Sequence, residues 1–401
     1  MSLAVGFDVS ALDPQFKDHA QRGIGRYVRE LWGFLQTHRT DAESLGIELS
    51  SFDHRDFTKP TLSDRLIDAL PYGRNTVRQQ LLYPSRLAQG STRKLGLLHF
   101  PAHMDAPSWS IKNYVLTVLD LIPLVLPDLY KADRPGWRFA FARWLENQAI
   151  KNARLVLAIS HNTARDLQRI LKIPEEKIVV TPLGVDAHFF KANQLRQQLG
   201  KQELRRQLAE RYALPAARPL LLYVGGMDER KNWQRLLPAF QQVAGCLEAQ
   251  GKARPALVMA GGIASHRHYP KLLMLREELA LEQDVLMPGF VPDTDLLLLY
   301  AGSDLFCFPS LYEGFGLPPL EALAAGLPVV SSNTSCMPEV LGEAALMVNP
   351  ASVDSIAQGI QRVLCEPELA ASLALRGPLQ AQKFTWQRTG EATLEAYRSL
   401  Q

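Results

Sequence analysis

Little in this 401-residue chain suggests a metal or redox centre. Its four cysteines, Cys246, Cys307, Cys336 and Cys365, lie 61, 29 and 29 positions apart with no C-x-x-C pair. That excludes zinc-ribbon and thioredoxin-type motifs and fits reduced thiols. His99, His103, His266 and His268 have no metal-ligand spacing, and His266-x-His268 reads as a solvated pair after Gly261-Gly262. Net charge is small, 44 basic against 41 acidic residues, so charge does not mark a nucleic-acid protein. No uncharged apolar run reaches the about 18 residues that span a bilayer. Ala322–Pro338 is uncharged, but Gly326 and Pro328 interrupt it. A carboxylate arrives at Asp8, before a signal-peptide core could form, so the expected location is cytoplasmic, at most peripheral on the inner face of the membrane. A Walker A loop is missing, and no full G-x-G-x-x-G directly follows a strand.

What is present is alternation. Short apolar runs (Leu3–Val9, Leu95–Phe100, Tyr114–Leu119, Leu155–Ile159, Ile178–Val180) are separated by longer amphipathic stretches such as Gly25–Leu35 and Trp137–Lys151. The pattern restarts at Leu220–Val224 and continues through Ala256–Ala260, Asp284–Met287, Leu305–Phe308, Val329–Ser331 and Ala345–Val348. Strand then helix, repeated, predicts parallel sheets with crossover helices. The expected fold class is α/β, two doubly wound Rossmann-like domains facing across a cleft. The first covers residues 1–195 and the second 216–384, joined by a polar connection, with a last helix over 385–401 that packs away from its own domain. Ligands of such sheets bind at the carboxyl ends of the strands, so the loops there carry the chemistry.

Three loops stand out. Phe308-Pro-Ser-Leu-Tyr-Glu-Gly-Phe-Gly-Leu-Pro-Pro-Leu-Glu-Ala322 follows a strand, turns on Gly314 and Gly316, and enters a helix at Pro318-Pro319. Free N–H groups and the positive end of the helix dipole would seat a diphosphate there. Glu313 and Glu321 can accept hydrogen bonds from a ligand's hydroxyl groups, or else serve as cap and dipole partner of the helix. Second, Gly225-Gly226 ends a strand and Arg230-Lys231 opens the next helix, where cations call for an anion such as a leaving diphosphate. Third, Gly23-Ile-Gly25-Arg26 opens an amphipathic helix; it is either a plain helix start or a contact for phosphate or sugar. Asp293-Thr-Asp295 matches a metal-binding D-x-D, but after Pro292 the expectation is that Asp293 is a helix N-cap. Asp120 ends a strand and either orients a hydroxyl, acts as a base, or caps the turn at Leu121-Ile-Pro123.

Glu313 and Glu321 with seven residues between them, Gly225-Gly226 with Arg230-Lys231, Ala158-Ile-Ser-His161 and Thr181-Pro-Leu-Gly-Val-Asp186 together resemble retaining glycosyltransferases of the GT-B fold, family 4. Within that family Asp120-Leu-Ile-Pro-Leu and the overall layout look most like bacterial polysaccharide mannosyltransferases. The resemblance implies a C-terminal domain that binds a nucleotide-diphosphate sugar and an N-terminal domain that binds the acceptor. It implies that Glu321 holds ribose hydroxyls, while Glu313 and the backbone at Phe315, Gly316 and Leu317 hold the transferred sugar. Arg230 and Lys231 would neutralise the diphosphate with Gly25 assisting, and the base would rest near Phe290 and Val291. No divalent metal and no cofactor is expected, since cationic side chains take that role. The implied reaction moves a hexose, mannose from GDP-mannose being the expected donor, onto a saccharide or lipid-linked saccharide in cell-surface polysaccharide synthesis, with retention and with domain closure excluding water. A UDP-sugar donor, a non-catalytic sugar-nucleotide-binding partner and a nicotinamide-dependent oxidoreductase are the rival readings.

One position departs from the family. Many relatives carry a His directly before the Asp of the Asp120 motif, and here that residue is Leu119. Either His99 or His103 supplies the polar contact on the acceptor side, or the sugar or rate differs. Finally, Arg65–Lys94 holds six basic residues and one acidic residue interleaved with apolar ones. That stretch reads either as a face for anionic lipid head groups or as a solvated helical pair. No nucleic-acid partner is expected.

Overall fold

The computed structural model of the chain describes residues 2–14, 23–53, 95–108, 113–129 and 136–401. Arg65–Lys94 therefore lies outside the described residues. Two units are present, Met1–Gly184 with Trp386–Gln401, and Val185–Thr385.

In the first unit six parallel strands stand in the order β2-β1-β3-β4-β5-β6: β1 (Leu3–Asp8), β2 (Ile47–Phe52), β3 (Leu97–Phe100), β4 (Tyr114–Val118), β5 (Leu155–Ala158) and β6 (Ile178–Val180). Central strands buried on both faces read as near-continuous apolar runs, as β5 does and as β4 does apart from Thr117. β2 was not among the runs expected from the sequence. It is an edge strand covered on one face, with Ile47, Leu49 and Phe52 buried and Glu48, Ser50 and Ser51 exposed, so its polar half hid it. Its register is nonetheless fixed, Leu3 opposite Ile47 and Val5 opposite Leu49.

The second unit repeats the plan in the order β12-β11-β10-β7-β8-β9: β7 (Leu220–Val224), β8 (Ala256–Ala260), β9 (Val285–Gly289), β10 (Leu305–Phe308), β11 (Val329–Ser332) and β12 (Leu346–Val348). Both sheets reverse their strand order beside their first strand, at β1/β3 in one and β7/β10 in the other. Loops leaving two such strands diverge to opposite faces and open a crevice at the carboxyl edge.

The segment expected to be a connection is instead a helix, Lys191–Tyr212, broken at Gly200 (φ 73°). It belongs to the second unit, packed on the Asp293–Gly302 helix through Leu204 and Leu208. Arg205 there donates to the Gly302 carbonyl at 3.3 Å and pairs with Asp304. Only one short apolar stripe faces inward, which is why its composition looks like a linker. The boundary between units accordingly falls at Gly184/Val185 and not at 195. The Trp386–Arg398 helix returns to the first unit: Gly390 sits where a Cβ would strike the Phe34 ring at 2.0 Å, and the Thr389 hydroxyl donates to the Pro182 carbonyl at 2.6 Å. The cap of the Asp293–Gly302 helix is Pro292, whose carbonyl accepts from Asp295 and Leu296. Asp293 is thus a first-turn residue and not the N-cap. Asp295 binds Arg211 and the Tyr212 hydroxyl, both at 2.6 Å.

Candidate active site

Strand β7 ends at Val224, and Gly225 and Gly226 carry the chain off the sheet. The Gly225 N–H still donates to the Ala260 carbonyl at 3.0 Å, and the Tyr223 hydroxyl, held un-ionised by burial, donates to Gly226 at 2.8 Å. Arg230 and Lys231 follow in a short 3-10 turn (Glu229–Lys231), not in the helix proper, which starts at Trp233. Asn232 makes the junction possible. It is fully buried in the left-handed conformation (φ 63°), and its side-chain amide donates to the Pro309 and Pro350 carbonyls at 2.8 and 2.7 Å. Asn tolerates that backbone geometry better than most residues.

The facing loop leaves β10. Leu311 N–H donates to the Arg230 carbonyl at 2.7 Å, which locks the two loops together across the β7/β10 crevice. Glu313 then projects between the two cations, Oε2 at 2.6 Å from Arg230 Nη1 and Oε1 at 2.7 Å from Lys231 Nζ. All three side chains are largely buried, 17%, 11% and 8% exposed for Arg230, Lys231 and Glu313. Burial alone would raise the Glu313 pKa, but Arg230 and Lys231 overcome it and hold the carboxyl down to about 2. Burial likewise pushes Lys231 below its ordinary value, with Glu313 opposing the shift. The Lys231 ammonium also lies 4.7 Å above the Phe308 ring. The anion called for by the two cations is therefore the protein's own carboxylate, and the three charges sum to +1.

Behind Glu313 the loop is held on all sides. Its N–H donates to Ser335 Oγ at 3.2 Å, and the Cys336 thiol donates to its carbonyl at 3.2 Å. Gly316 caps the Leu317–Ala324 helix at φ 92°, where a Cβ would meet Met337 Cε at 2.3 Å, so glycine is required. Phe315 is buried edge-on against Phe384. Glu321 lies one turn deeper, 4% exposed, and accepts from the Tyr300 hydroxyl at 3.0 Å. Neither Glu313 nor Glu321 caps the helix. Phe290, directly after β9, is 70% exposed, while Val291 is buried.

The first unit places its candidates less uniformly. In the helix Gly23–Thr37 Gly25 is buried. Asp120 Oδ1 accepts from Ile122 N–H at 3.1 Å, the turn-capping arrangement, and the residue stays half-exposed. His99 is not available to a sugar. It is fully buried, its Nδ1 bonded to the Tyr397 hydroxyl at 2.5 Å and its Nε2 to Thr117 Oγ1 at 2.8 Å, and burial lowers its pKa to about 3. The ring anchors the C-terminal helix to the sheet. His103 lies at the carboxyl edge after β3, in a buried turn with Asp105. Beside it, across the β1/β3 crevice, Asp8 was missed from the sequence although, like Asp120, it ends an apolar strand. Asp8 is 3% exposed and its pKa is raised to about 7 by burial against hydrogen bonds from Ser10, with Asp105 and Asp53 adding to the rise.

The family model for group 1 glycosyl transferases matches residues 205–379, and that for Glycosyltransferase Family 4 matches 63–189. The chain belongs to the group 1, family 4 glycosyltransferases. It is 29% identical over 391 residues to O-antigen chain mannosyltransferase B of Escherichia coli, covering 94% of this chain and 96% of that protein. Two solved structures are similar over nearly their whole length. WaaG, a glycosyltransferase involved in lipopolysaccharide biosynthesis, has a TM-score of 0.68 at 17% identity, with 98% of this chain and 99% of that chain covered. Anabaena Alr3699/HepE in complex with UDP and glucose has a TM-score of 0.66 at 17% identity, with 100% of each chain covered. The fold of this glycosyltransferase is the GT-B fold of those neighbours, two α/β domains each built on a six-stranded parallel sheet.

Proposed function

We propose that this glycosyltransferase moves a hexose, mannose from GDP-mannose, onto a saccharide or lipid-linked saccharide acceptor in cell-surface polysaccharide synthesis, with retention of anomeric configuration. The donor would be a substrate held without a divalent metal. The observation that carries this reading is the Arg230–Glu313–Lys231 ion set at the β7/β10 crevice. A nucleotide diphosphate brings two negative charges to a cluster of net +1. It would draw the cations toward its own oxygens and release the Glu313 carboxylate to accept hydrogen bonds from the sugar hydroxyls. Arg230 offers a planar fork of donors and Lys231 a point charge, the pairing suited to charge that grows on a leaving diphosphate.

A covalent double displacement needs a carboxylate nucleophile at the sugar, and the two carboxylates here, Glu313 and Asp228, both face Arg230, at 2.6 and 3.9 Å. Transfer on the front face fits better: the C1–O bond to the diphosphate breaks, the acceptor oxygen bonds to C1 from the same side, and its proton passes to the departing phosphate oxygen. Glu321 with Tyr300 is the ribose pair of this reading, and Phe290 with Val291 takes the base. Gly25 would assist at the phosphate, and His103 with Asp120 would serve the acceptor in place of the His absent at Leu119. The mannosyl assignment rests on the E. coli O-antigen enzyme. The UDP and glucose held by the Anabaena neighbour favour a UDP-sugar as the second reading. Transfer assays with GDP-mannose and UDP-glucose, with product anomers read by NMR, decide between them. Incorporation from GDP-mannose with retained configuration supports the proposal, and inversion or transfer from UDP-glucose alone overturns it.

A further inference from the structure

Among the described residues five that are not glycine take a left-handed backbone: Lys172, Ala213, Asn232, Ala280 and Ser335. Lys172 and Ala213 close helices, and Ala280 comes directly after the residue that closes another, places where that conformation is ordinary. The remaining two flank the ion set. Asn232 follows Lys231, and Ser335 (φ 53°) stands in the turn after β11, against the main chain of Glu313. A Cβ makes that backbone unfavourable, and residues so strained gather at ligand sites.

Glycine would take this turn without strain, as Gly316 does at φ 92° in the facing loop. What serine adds is an oxygen. It accepts from the Glu313 N–H at 3.2 Å, while its neighbours grip the same stretch: the Thr334 hydroxyl donates to the Leu311 carbonyl and the Cys336 thiol to the Glu313 carbonyl, each at 3.2 Å. Three consecutive side chains therefore hold residues 311–313, and the Leu311 N–H carries the link on to the Arg230 carbonyl at 2.7 Å. With Glu313 bonded at both its N–H and its carbonyl, rotation about its side-chain bonds is what remains to steer the carboxylate. Arg230 and Lys231 hold that carboxylate at 2.6 and 2.7 Å. A diphosphate that draws the two cations away weakens this hold, and the main-chain bonds are then what aims the carboxylate. A contact to a sugar hydroxyl tolerates about 0.5 Å of misplacement, so loss of the Ser335 bond should reach the sugar and spare the nucleotide.

We propose that Ser335 is a positioning residue for sugar recognition: its hydroxyl oxygen fixes the Glu313 main chain so that the carboxylate, once released by the diphosphate, meets the hydroxyl groups of the transferred sugar. This rests on the reading of Glu313 as the sugar contact and of Arg230 and Lys231 as the diphosphate contacts.

The test uses the full chain with Ser335→Ala and, separately, Ser335→Gly. Both remove the oxygen, and only the glycine variant also relaxes the backbone. Titration calorimetry gives the affinity for GDP, initial rates give kcat and KM for GDP-mannose, and fluorimetry gives the unfolding midpoint. The glycine variant is expected to unfold at a higher temperature than the alanine variant, with GDP affinity in both within about twofold of the wild type. Despite that difference in stability, kcat/KM for GDP-mannose should fall about tenfold in both, the loss following the oxygen and not the strain. A glycine variant that turns over like the wild type leaves Ser335 a backbone role alone and overturns the proposal. So does GDP affinity that falls in step with turnover, which would assign the hydroxyl to the nucleotide or to the fold. Either result leaves the donor reading standing. A wild type that uses UDP-glucose and not GDP-mannose sinks the donor reading instead, and the same measurements with UDP and UDP-glucose then decide this inference.

Discussion

Replacing Glu313 with Gln removes one negative charge from a buried site and leaves two cations facing each other. Taking one partner from a buried ion pair costs about 3–5 kcal/mol. Here two cations share the loss and Arg230 keeps some access to water and its bond to the Tyr312 carbonyl at 3.2 Å, so the lower end, about 3 kcal/mol, is expected. The second unit has about 200 residues, for which each kcal/mol moves the midpoint by about 2–4 °C, giving a drop of about 6–12 °C. A nucleoside diphosphate should reverse much of it by supplying the missing negative charge. Ligand at about 100 times its Kd adds about 2.7 kcal/mol to any binder, and Glu313→Gln removes a competing carboxylate. GDP binding is therefore expected to be retained or tightened, while turnover falls about hundredfold through loss of the sugar contact. Differential scanning fluorimetry with and without GDP reads the stability arm, and initial rates read the other. An apo midpoint within about 1 °C of wild type, or GDP binding lost together with turnover, refutes the reasoning. Acid titration adds a sign. With its pKa held down to about 2 from an ordinary 4.5, Glu313 stabilises the fold above that ordinary value, and the contribution is lost as the pH falls toward about 2.

Other expectations separate fold from function. Gly316→Ala meets Met337 at a positive φ and should lower the midpoint, whereas Gly226→Ala meets nothing within 4 Å. The latter should leave stability unchanged and weaken nucleotide-diphosphate binding if the ligand passes over Gly226; calorimetric titration measures it. Asp8 binds its proton more tightly in the fold, with a pKa near 7 against 3.8, so stability falls as the pH rises between those values. Asp8→Asn should then raise stability by about 1–3 kcal/mol at pH 8 and change nothing near pH 4, read from denaturant midpoints. Tyr397→Phe leaves the buried His99 nitrogen without its partner and should cost about 1–3 kcal/mol, equally at pH 5 and pH 8 because His99 stays neutral in that range.

The strands and their parallel pairing were legible because burial on both faces leaves an unmistakable apolar run, as in Leu220–Val224 and Leu305–Phe308. β2 and the Lys191–Tyr212 helix escaped for one shared reason: each meets its unit on one narrow stripe, so polar residues dominate the count. The loop from Phe308 to Ala322 could be read as a site since Gly316, Pro318 and Pro319 each have a local conformational role. Which anion faces Arg230 and Lys231 was not readable, because Glu313 reaches them only when β7 and β10 become neighbours. His99 misled for the opposite reason. An isolated His beside a strand end looks accessible, and only the distant Tyr397 and the neighbouring Thr117 show that both its nitrogens are taken. Asp8 and Asp105 acquire meaning only when the order β2-β1-β3 brings their loops to one crevice.

The central claim is that Arg230 and Lys231 grip the donor's diphosphate. Titration calorimetry of GDP-mannose in the presence of a chelator tests it most directly, comparing wild type with the Arg230→Gln/Lys231→Gln/Glu313→Gln variant, in which no buried charge is left uncompensated. Saturable binding to the wild type and its loss in a variant that remains folded is the expected result. Equal affinity for both proteins would contradict the claim.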